Sequence, residues 1–228
     1  MKYHIEFDVD FKRNTFGGFY IAIEGIDGSG KTTQVDLLTE YLQKKGHTVV
    51  QTREPRKDVG VIGKLIQEIL HGKEKVPPVA FQYLFTADRE IHHEELIKPS
   101  LKSGKTIVSD RCFWSAVPYG ILDRGGDLEE NSGKFILMAQ SILSMYHQFT
   151  VPDITFYLDI PLDVAMKRLK SMQGQWEIYE DEEKLKKTIK GYNWLLKEFP
   201  KEFTIVDGQK SVEEVHKEIL AAVDNFKK

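Results

Sequence analysis

The sequence predicts an α/β fold in which a parallel sheet of five strands is covered by helices on both faces. Short apolar, β-rich segments alternate with longer segments whose apolar residues recur at helical spacing, and no repeat or low-complexity linker breaks the alternation. Nearly continuous apolar strands are typical of a sheet that is buried on both faces. The predicted strands cover residues 19–24, 47–51, 105–110, 154–160 and 203–207.

The helices follow from the same alternation. In the first of them, Val35, Leu38 and Leu42 recur at the spacing of one buried helical face. Crossover helices of this kind place successive strands side by side and parallel. The predicted helices cover residues 31–45, 61–71, 79–96, 132–147, 162–171, 182–199 and 212–226.

Length and composition favour one ordinary globular domain. The 228 residues fit a single domain with a large core, expected over residues 19–228, with residues 1–18 as an N-terminal extension. Residues 3–9 of the extension alternate weakly, which leaves open an extra edge strand or an ordered tail. A formal net charge of −3 gives no basic field, so we expect no nucleic-acid partner.

The composition also indicates where in the cell the protein lies and which metal sites it lacks. No apolar run approaches the length of a membrane span, and the N-terminus, which contains Glu6, Asp8 and Asp10, lacks the apolar core of a signal peptide, so we expect a cytoplasmic protein without a membrane partner. The single cysteine, Cys112, excludes an intramolecular disulfide and a cysteine-based zinc cluster. The pair His92 and His93 lies in a charged helical stretch, and we expect it to face solvent.

The most informative motif lies between the first strand and the first helix. Residues 25–32 read GIDGSGKT and fit the pattern G-x-x-x-x-G-K-[ST], in which backbone N–H groups surround a polyphosphate. Lys31 is expected to reach the β- and γ-phosphates, and the Thr32 hydroxyl to ligate Mg²⁺. The motif predicts a P-loop NTPase-type three-layer sandwich with ATP as co-substrate and Mg²⁺ as cofactor. Its candidate ATP-binding residues are Gly25, Gly28, Ser29, Gly30, Lys31, Thr32 and Thr33.

Charged residues follow the next two strands at the edge where such sheets bind ligands. Asp110 ends the third strand, where a carboxylate can hold the Mg²⁺ shell or cap the following helix. Arg111 follows it, and Arg53 follows the second strand, so both can form paired hydrogen bonds with a phosphate. For Arg53, a surface salt bridge with Glu54 is the alternative.

The helix predicted over residues 79–96 carries a second candidate site. Helical spacing places Gln82, Phe85 and Arg89 on one face, and an aromatic ring beside hydrogen-bonding groups suits a flat nucleobase. Core packing is the alternative for Phe85.

Together these residues resemble the thymidylate (dTMP) kinases, a family of P-loop nucleoside monophosphate kinases. The resemblance extends over nearly all of residues 19–223. The motifs that carry it are EGIDGSGKTTQ at residues 24–34, TREP at 52–55, LFTADR at 84–89, SDR at 109–111, PD at 152–153 and EIYE at 177–180.

The resemblance implies transfer of the ATP γ-phosphoryl group to dTMP in nucleotide biosynthesis, by a homodimeric enzyme. It also implies individual roles, with Lys31, Arg111 and Asp110 as catalytic residues and Thr32 and Asp110 at the metal. In the acceptor site, Asp27 binds the 3′-hydroxyl, Arg53 and Arg111 the phosphate, and Phe85 and Arg89 the thymine, while Tyr119 crowds the sugar 2′ position. Arg168 packs on the donor adenine.

Three departures from the family pattern concern the site. Cys112 stands where tyrosine is usual, and Gly120 stands where glutamine is common. Family members also carry a catalytic arginine either in the phosphate loop, where this chain has Gly28, or in a mobile lid, expected here near residues 171–180. Residues 171–178 contain no arginine. We therefore expect slow turnover in which Arg168 or Lys170 substitutes, and a faster enzyme after Gly28→Arg if the loop tolerates the side chain.

Two alternatives remain open at this stage. One is a kinase of another (deoxy)nucleotide or of a nucleoside, and the two arginines that suit a phosphorylated acceptor argue against the nucleoside. The other is a nucleotide-binding protein with little turnover, which the missing arginine favours.

Overall fold

In a computed structural model, residues 10–123, 133–171, 178–179 and 181–226 are described. The strands are β1 (Phe19–Glu24), β2 (Val49–Arg53), β3 (Thr106–Asp110), β4 (Ile154–Asp159) and β5 (Phe203–Asp207). The helices are α1 (Lys31–Lys44), α2 (Gly60–Leu70), α3 (Pro78–His92), α4 (Lys98–Lys102), α5 (Ala116–Asp123), α6 (Gly133–Leu143), α7 (Leu162–Ser171), α8 (Glu182–Glu198) and α9 (Val212–Asn225).

The five strands form one sheet in the order β2-β3-β1-β4-β5, and every neighbouring pair is parallel. The register pairs Ile23 of β1 with Asp110 of β3, and Arg53 of β2 with the same Asp110. The carboxyl ends of the three strands therefore meet at one edge. This confirms the predicted α/β fold with a five-stranded parallel sheet.

Each face of the sheet has its own core. On β1, Tyr20 and Ala22 belong to one apolar cluster, which includes residues of α2, α3, α5 and α8. Ile21 and Ile23 point the other way, into a second cluster with residues of α1 and α9. Because β1 is buried on both faces, the loop that follows it is held firmly at the sheet edge.

Some predicted boundaries are wrong. β2 ends at Arg53 instead of residue 51, so Arg53 is the last residue of the strand and does not follow it. The helix predicted over 79–96 ends as α3 at His92 and continues through one π-helical turn, His93–Ile97, into α4. Helix α5 was not predicted, because Pro118 and Gly120 within it are poor helix formers.

The expectation that His92 and His93 face solvent is also wrong. Both side chains are buried. His92 contacts the Glu54 carboxylate through Nδ1 at 3.0 Å, and His93 accepts a hydrogen bond from the Thr150 backbone N–H at 3.0 Å. Side chains of neighbouring residues in a helix point about 100° apart, so both histidines are buried only if other elements pack on two sides of the helix. That packing is visible only in the tertiary structure.

Part of the N-terminal extension lies against the rest of the fold. Within residues 10–18, Phe11 contacts the rings of Trp114 and Phe199, with ring centres 5.2 and 5.7 Å away. The backbone oxygen of Lys12 accepts a hydrogen bond from the Val151 N–H at 2.9 Å. Residues 3–9, where an edge strand was one alternative, lie outside the described residues. No helix in the described part of the chain has the length and apolar character needed to cross a membrane.

Candidate active site

A cleft of about 530 Å³ opens at the carboxyl edge of the sheet. The phosphate loop forms its floor at one end, and α3, α5 and Tyr179 enclose the other end. Nearly all the predicted site residues line this one cleft. Those that do are Asp27, Gly28, Ser29, Gly30, Lys31, Thr32, Thr33, Arg53, Phe85, Arg89, Asp110, Arg111, Tyr119 and Arg168.

The loop between β1 and α1 has the backbone that phosphate binding requires. Gly28 and Gly30 have φ values of 82° and 96°, which favour glycine, and α1 begins directly afterwards. The first N–H groups of the helix therefore face the cleft with no helical partner. Gly25, at the start of the loop, has a φ of 146°, and its missing side chain leaves room for Ser29.

Lys31 is folded back over this loop. Only 6% of the residue is exposed, and its Nζ donates to the Ile26 backbone oxygen at 2.8 Å, with the Asp27 carboxylate at 3.9 Å. Burial, and next the nearby Arg111 guanidinium, lower the pKa of Lys31 to about 8. The ammonium group is thus a cation that a bound anion would stabilise.

Thr32 and Asp110 place a hydroxyl and a carboxylate side by side next to the loop. The Thr32 hydroxyl donates to Asp110 Oδ2 at 2.6 Å, across the gap between α1 and the end of β3. A hydroxyl and a carboxylate side by side match the oxygen ligands that Mg²⁺ prefers. The residues present therefore fit the predicted metal.

Arg111 is buried at the centre of the cleft and has a φ of 71°, the only positive value among non-glycine residues in the described ranges. One terminal nitrogen donates to Asp27 at 2.5 Å and to the Tyr119 hydroxyl at 3.0 Å. The other donates to the Gly25 backbone oxygen at 2.9 Å. Strained backbone of this kind concentrates at functional sites, where surrounding contacts hold it.

Glu24 supports this arginine and was missed by the sequence prediction. It is fully buried at the end of β1 and accepts hydrogen bonds from Ser115 at 2.6 Å and Tyr192 at 2.7 Å. Both hydroxyls also accept from Arg111, at 3.2 and 3.1 Å. A glutamate in an apolar strand is the only sequence signal for this network, because Tyr192 comes from distant α8.

Asp27 and Tyr119 form one wall of the cleft beside Arg111. The Tyr119 hydroxyl donates to Asp27 Oδ2 at 3.1 Å. Burial acts to raise the pKa of Asp27, but the charges of Arg111 and Lys31 outweigh it and hold that pKa at about 2. Asp27 is therefore an ionised hydrogen-bond acceptor at all ordinary pH values.

Arg89 and Phe85 lie at the far end of the cleft, as helical spacing predicts. Arg89 Nε donates to Glu54 at 2.8 Å, and its guanidinium carbon lies 5.7 Å from the centre of the Phe85 ring. Phe85 packs on Phe81 with ring centres 4.3 Å apart and also lines the cleft. Core packing and ligand contact are thus both open to the same ring.

Arg53 at the end of β2 and Arg56 in the loop that follows have different surroundings. Arg53 is exposed and lines the cleft, and its alternative partner Glu54 is buried against Arg89 and His92. Arg56 is buried, and it donates to the Asp88 carboxylate from Nε at 3.3 Å and from its backbone N–H at 2.9 Å. Arg56 therefore anchors the loop to α3, a role that the sequence prediction missed.

The structure separates the two expected substitutes for the missing arginine. Arg168 reaches the phosphate loop, donating to the Gly28 and Ser29 oxygens at 3.4 Å and to the Gly208 oxygen at 2.8 Å. Lys170 is exposed and lines a separate surface depression with Asp163. Residues 172–177 and 180 of the predicted lid lie outside the described residues.

Helix α7 packs against the phosphate loop at Gly28. A Cβ atom at Gly28 would lie 2.8 Å from the Ala165 backbone oxygen, in addition to the unfavourable φ of 82°. The structure therefore argues against a faster enzyme after Gly28→Arg, because the new side chain would strain the loop and displace α7.

A phosphate loop, a hydroxyl beside a carboxylate, and arginines that line the same cleft are the features of a P-loop kinase. The sequence pattern of the thymidylate kinase family matches residues 23–219, and the chain belongs to that family.

Individual relatives agree with this assignment. A protein named probable thymidylate kinase from Thermococcus onnurineus is 40% identical over 215 residues, covering 90% of this chain and 97% of the relative. A thymidylate kinase from a Sulfurihydrogenibium species is 38% identical and covers 89% and 95%. The structure of thymidylate kinase from Candida albicans superposes with a TM-score of 0.75 at 25% identity, over 91% of each chain.

The lowered pKa of Lys31 predicts that ATP binding takes up a proton. At pH 8 about half of the free protein carries a neutral Lys31, and the bound polyphosphate restores the charge, so binding should take up about half a proton. Calorimetric titrations at pH 8, in buffers of different ionisation enthalpy, measure this number. Lys31→Arg keeps the charge, cannot lose its proton and should abolish the uptake. Equal uptake in both proteins would contradict the assignment.

Proposed function

We propose that this chain transfers the γ-phosphoryl group of Mg·ATP to dTMP, giving dTDP and ADP. The observation that carries the proposal is a single cleft with a phosphate loop at one end and an aromatic ring, Phe85, beside Arg89 at the other. Such a cleft suits two nucleotides whose phosphates meet in the middle, near Lys31 and Arg111.

The protein groups would act by position and charge, because direct phosphoryl transfer needs no protein nucleophile. Thr32 and Asp110 would hold Mg²⁺, which when bound neutralises charge on the phosphate oxygens. Lys31 would face the β- and γ-phosphates, and the backbone N–H groups that follow Gly28 would bind their oxygens. A closed cleft would exclude water, which otherwise competes as acceptor.

The acceptor would lie against the opposite wall. Arg111 and the exposed Arg53 would bind its phosphate, and the ionised Asp27 would accept a hydrogen bond from the 3′-hydroxyl. Tyr119, fixed by Asp27 and Arg111, would fill the space that a 2′-hydroxyl requires. Phe85 would stack on the base.

A panel of acceptors tests the proposal. ADP release is followed with dTMP, dUMP, dCMP, dGMP, dAMP and thymidine at fixed Mg·ATP, and we expect dTMP to give the highest kcat/KM. Lys31→Ala is the control, because it should remain folded and lose transfer. A higher kcat/KM for thymidine or another monophosphate would reassign the acceptor, and ATP binding without transfer to any of them would indicate a nucleotide-binding protein.

Arg168 is proposed to have two roles, contact with the donor adenine and partial replacement of the absent catalytic arginine. The support is its contact with the Gly28 and Ser29 oxygens, which places a guanidinium at the edge of the phosphate site. Backbone oxygens hold Arg168 on the side of the loop that faces α7. We therefore expect Arg168 to replace the missing catalytic arginine imperfectly and the enzyme to be slow.

Arg168→Ala should therefore lower kcat with dTMP by about 10²-fold or more, since an arginine at the transferring phosphate contributes roughly 10³–10⁵ in other P-loop enzymes. Lys170→Ala is the matched control from the same helix, and it should change kcat less than twofold. Steady-state kinetics of both variants provide the measurement. A neutral Arg168→Ala, or an effect confined to the KM for ATP, would remove the catalytic part of the proposal.

A homodimer in the cytoplasm is a further part of the proposal. The dimer is supported by apolar side chains on helix surfaces, with Leu137 of α6 68% exposed and Tyr83 of α3 59% exposed. Ile136 of α6 is also exposed, whereas Ala139 and Ile142 of the same helix are buried in the core. Sedimentation equilibrium should give twice the mass of one chain, and Leu137→Lys should halve it. A monomer at micromolar concentration would contradict the dimer.

A further inference from the structure

A buried glutamine at the base end of the cleft is not used by the roles described so far. Gln82 is only 1% exposed and lines the cleft one turn before Phe85 on α3. Its Nε2 donates to Asp123 Oδ2 at 2.5 Å. The same Asp123 oxygen accepts from the Tyr179 hydroxyl at 2.6 Å.

This network determines which way the amide points. An ionised carboxylate only accepts hydrogen bonds, so the amide nitrogen must face Asp123 and the amide oxygen Oε1 must face away from it. No residue in the described ranges donates a hydrogen bond to Oε1. A Cβ atom at Gly120 would lie 3.3 Å from this oxygen, so the glycine leaves room beside it.

Burial raises the pKa of Asp123 and outweighs the contacts with Tyr179, Gln82 and Lys184, which act to lower it. The geometry nevertheless fits a carboxylate, because the Tyr179 hydroxyl and the Gln82 amide nitrogen both donate to the same Asp123 oxygen. The orientation of the Gln82 amide on α3 is therefore maintained by Asp123 at the end of α5 and by Tyr179.

We propose that Gln82 is a base-reading residue, whose amide oxygen accepts a hydrogen bond from the imide N3–H of a pyrimidine-2,4-dione. Asp123 and Tyr179 are positioning residues that hold the amide in this orientation. Cytosine presents an unprotonated N3 at the same position, so a fixed amide oxygen would face another acceptor and repel it. The inference rests on the proposed dTMP site and assigns its discrimination between thymine and cytosine to Gln82.

The test compares dTMP with 5-methyl-dCMP, which differ only at N3 and at the exocyclic group on C4. Gln82→Leu keeps the approximate size and removes the amide. It should lower kcat/KM for dTMP by about 10-fold to 100-fold and leave the low value for 5-methyl-dCMP unchanged or higher, so that the ratio of the two falls. An equal loss for both acceptors, or no loss, would overturn the proposal.

Gln34→Leu is the matched control, because Gln34 is also a buried glutamine but lies on α1 at the phosphate end, with Nε2 donating to the Val212 oxygen at 2.9 Å. Any effect of this variant should fall equally on the two acceptors. Tyr179→Phe removes one hydroxyl only and should lower the ratio by a smaller factor. If Gln82→Leu fails to fold, the ratio for Tyr179→Phe decides, and an unchanged ratio there overturns the proposal.

Direct binding separates this inference from the proposed function. Dissociation constants for dTMP and 5-methyl-dCMP, measured by calorimetry without ATP, do not depend on transfer. If the wild type binds dTMP more tightly and Gln82→Leu reduces that preference, the base-reading role holds even when no product forms. If transfer to dTMP is rapid but Gln82→Leu keeps the preference for binding dTMP, the base-reading role of Gln82 is wrong and the proposed function stands.

Discussion

The ion pair between Arg111 and Asp27 is the contact on which the geometry of the cleft depends. It joins the end of β3 to the loop after β1, and the same guanidinium reaches α5 through Tyr119 and α8 through Tyr192. Arg111 is buried and the Asp27 side chain is 29% exposed, so loss of Asp27 would be destabilising because it leaves a buried positive charge with less compensation. The left-handed backbone at Arg111 persists because these contacts fix it from several sides.

A similar arrangement recurs along the wall of the cleft that α3 forms. Arg89 is held by Glu54, which in turn contacts His92, and the Gln82 amide is held by Asp123. In each case a carboxylate restrains a flexible side chain before any ligand arrives. Such restraint lowers the entropy that binding must remove, and it fixes which donor or acceptor faces the ligand. The phosphate end works differently, since its hydrogen-bond donors are largely backbone N–H groups that are already rigid.

The close contact between α7 and the phosphate loop accounts for one departure from the family pattern. With the Ala165 oxygen 2.8 Å from the position of a Cβ at Gly28, the loop has no room for a side chain there. The same approach brings Arg168 to the loop oxygens. The glycine at position 28 and the placement of Arg168 at the loop oxygens are therefore parts of one packing arrangement.

The sequence by itself determined the alternation of strands and helices, the phosphate loop and the face of α3 that carries Gln82, Phe85 and Arg89. These features depend on residues close together in the chain, where period and spacing control geometry. Helix α5 was not predicted, because Pro118 and Gly120 lower the helix propensity of this segment. Packing against α8 stabilises the helix in spite of this low propensity.

Only the tertiary structure decided the rest. Two of these features depend on which helix covers a given face: the burial of His92 and His93, and the position of Arg168 rather than Lys170 at the phosphate loop. Two others join residues that are distant in sequence. They are the support of Arg111 by Glu24 and the hydrogen bond from Gln82 to Asp123. Contacts of this kind leave no period or motif in the chain. Their energies come from burial and pairing that exist only after the sheet and its two helical layers have assembled.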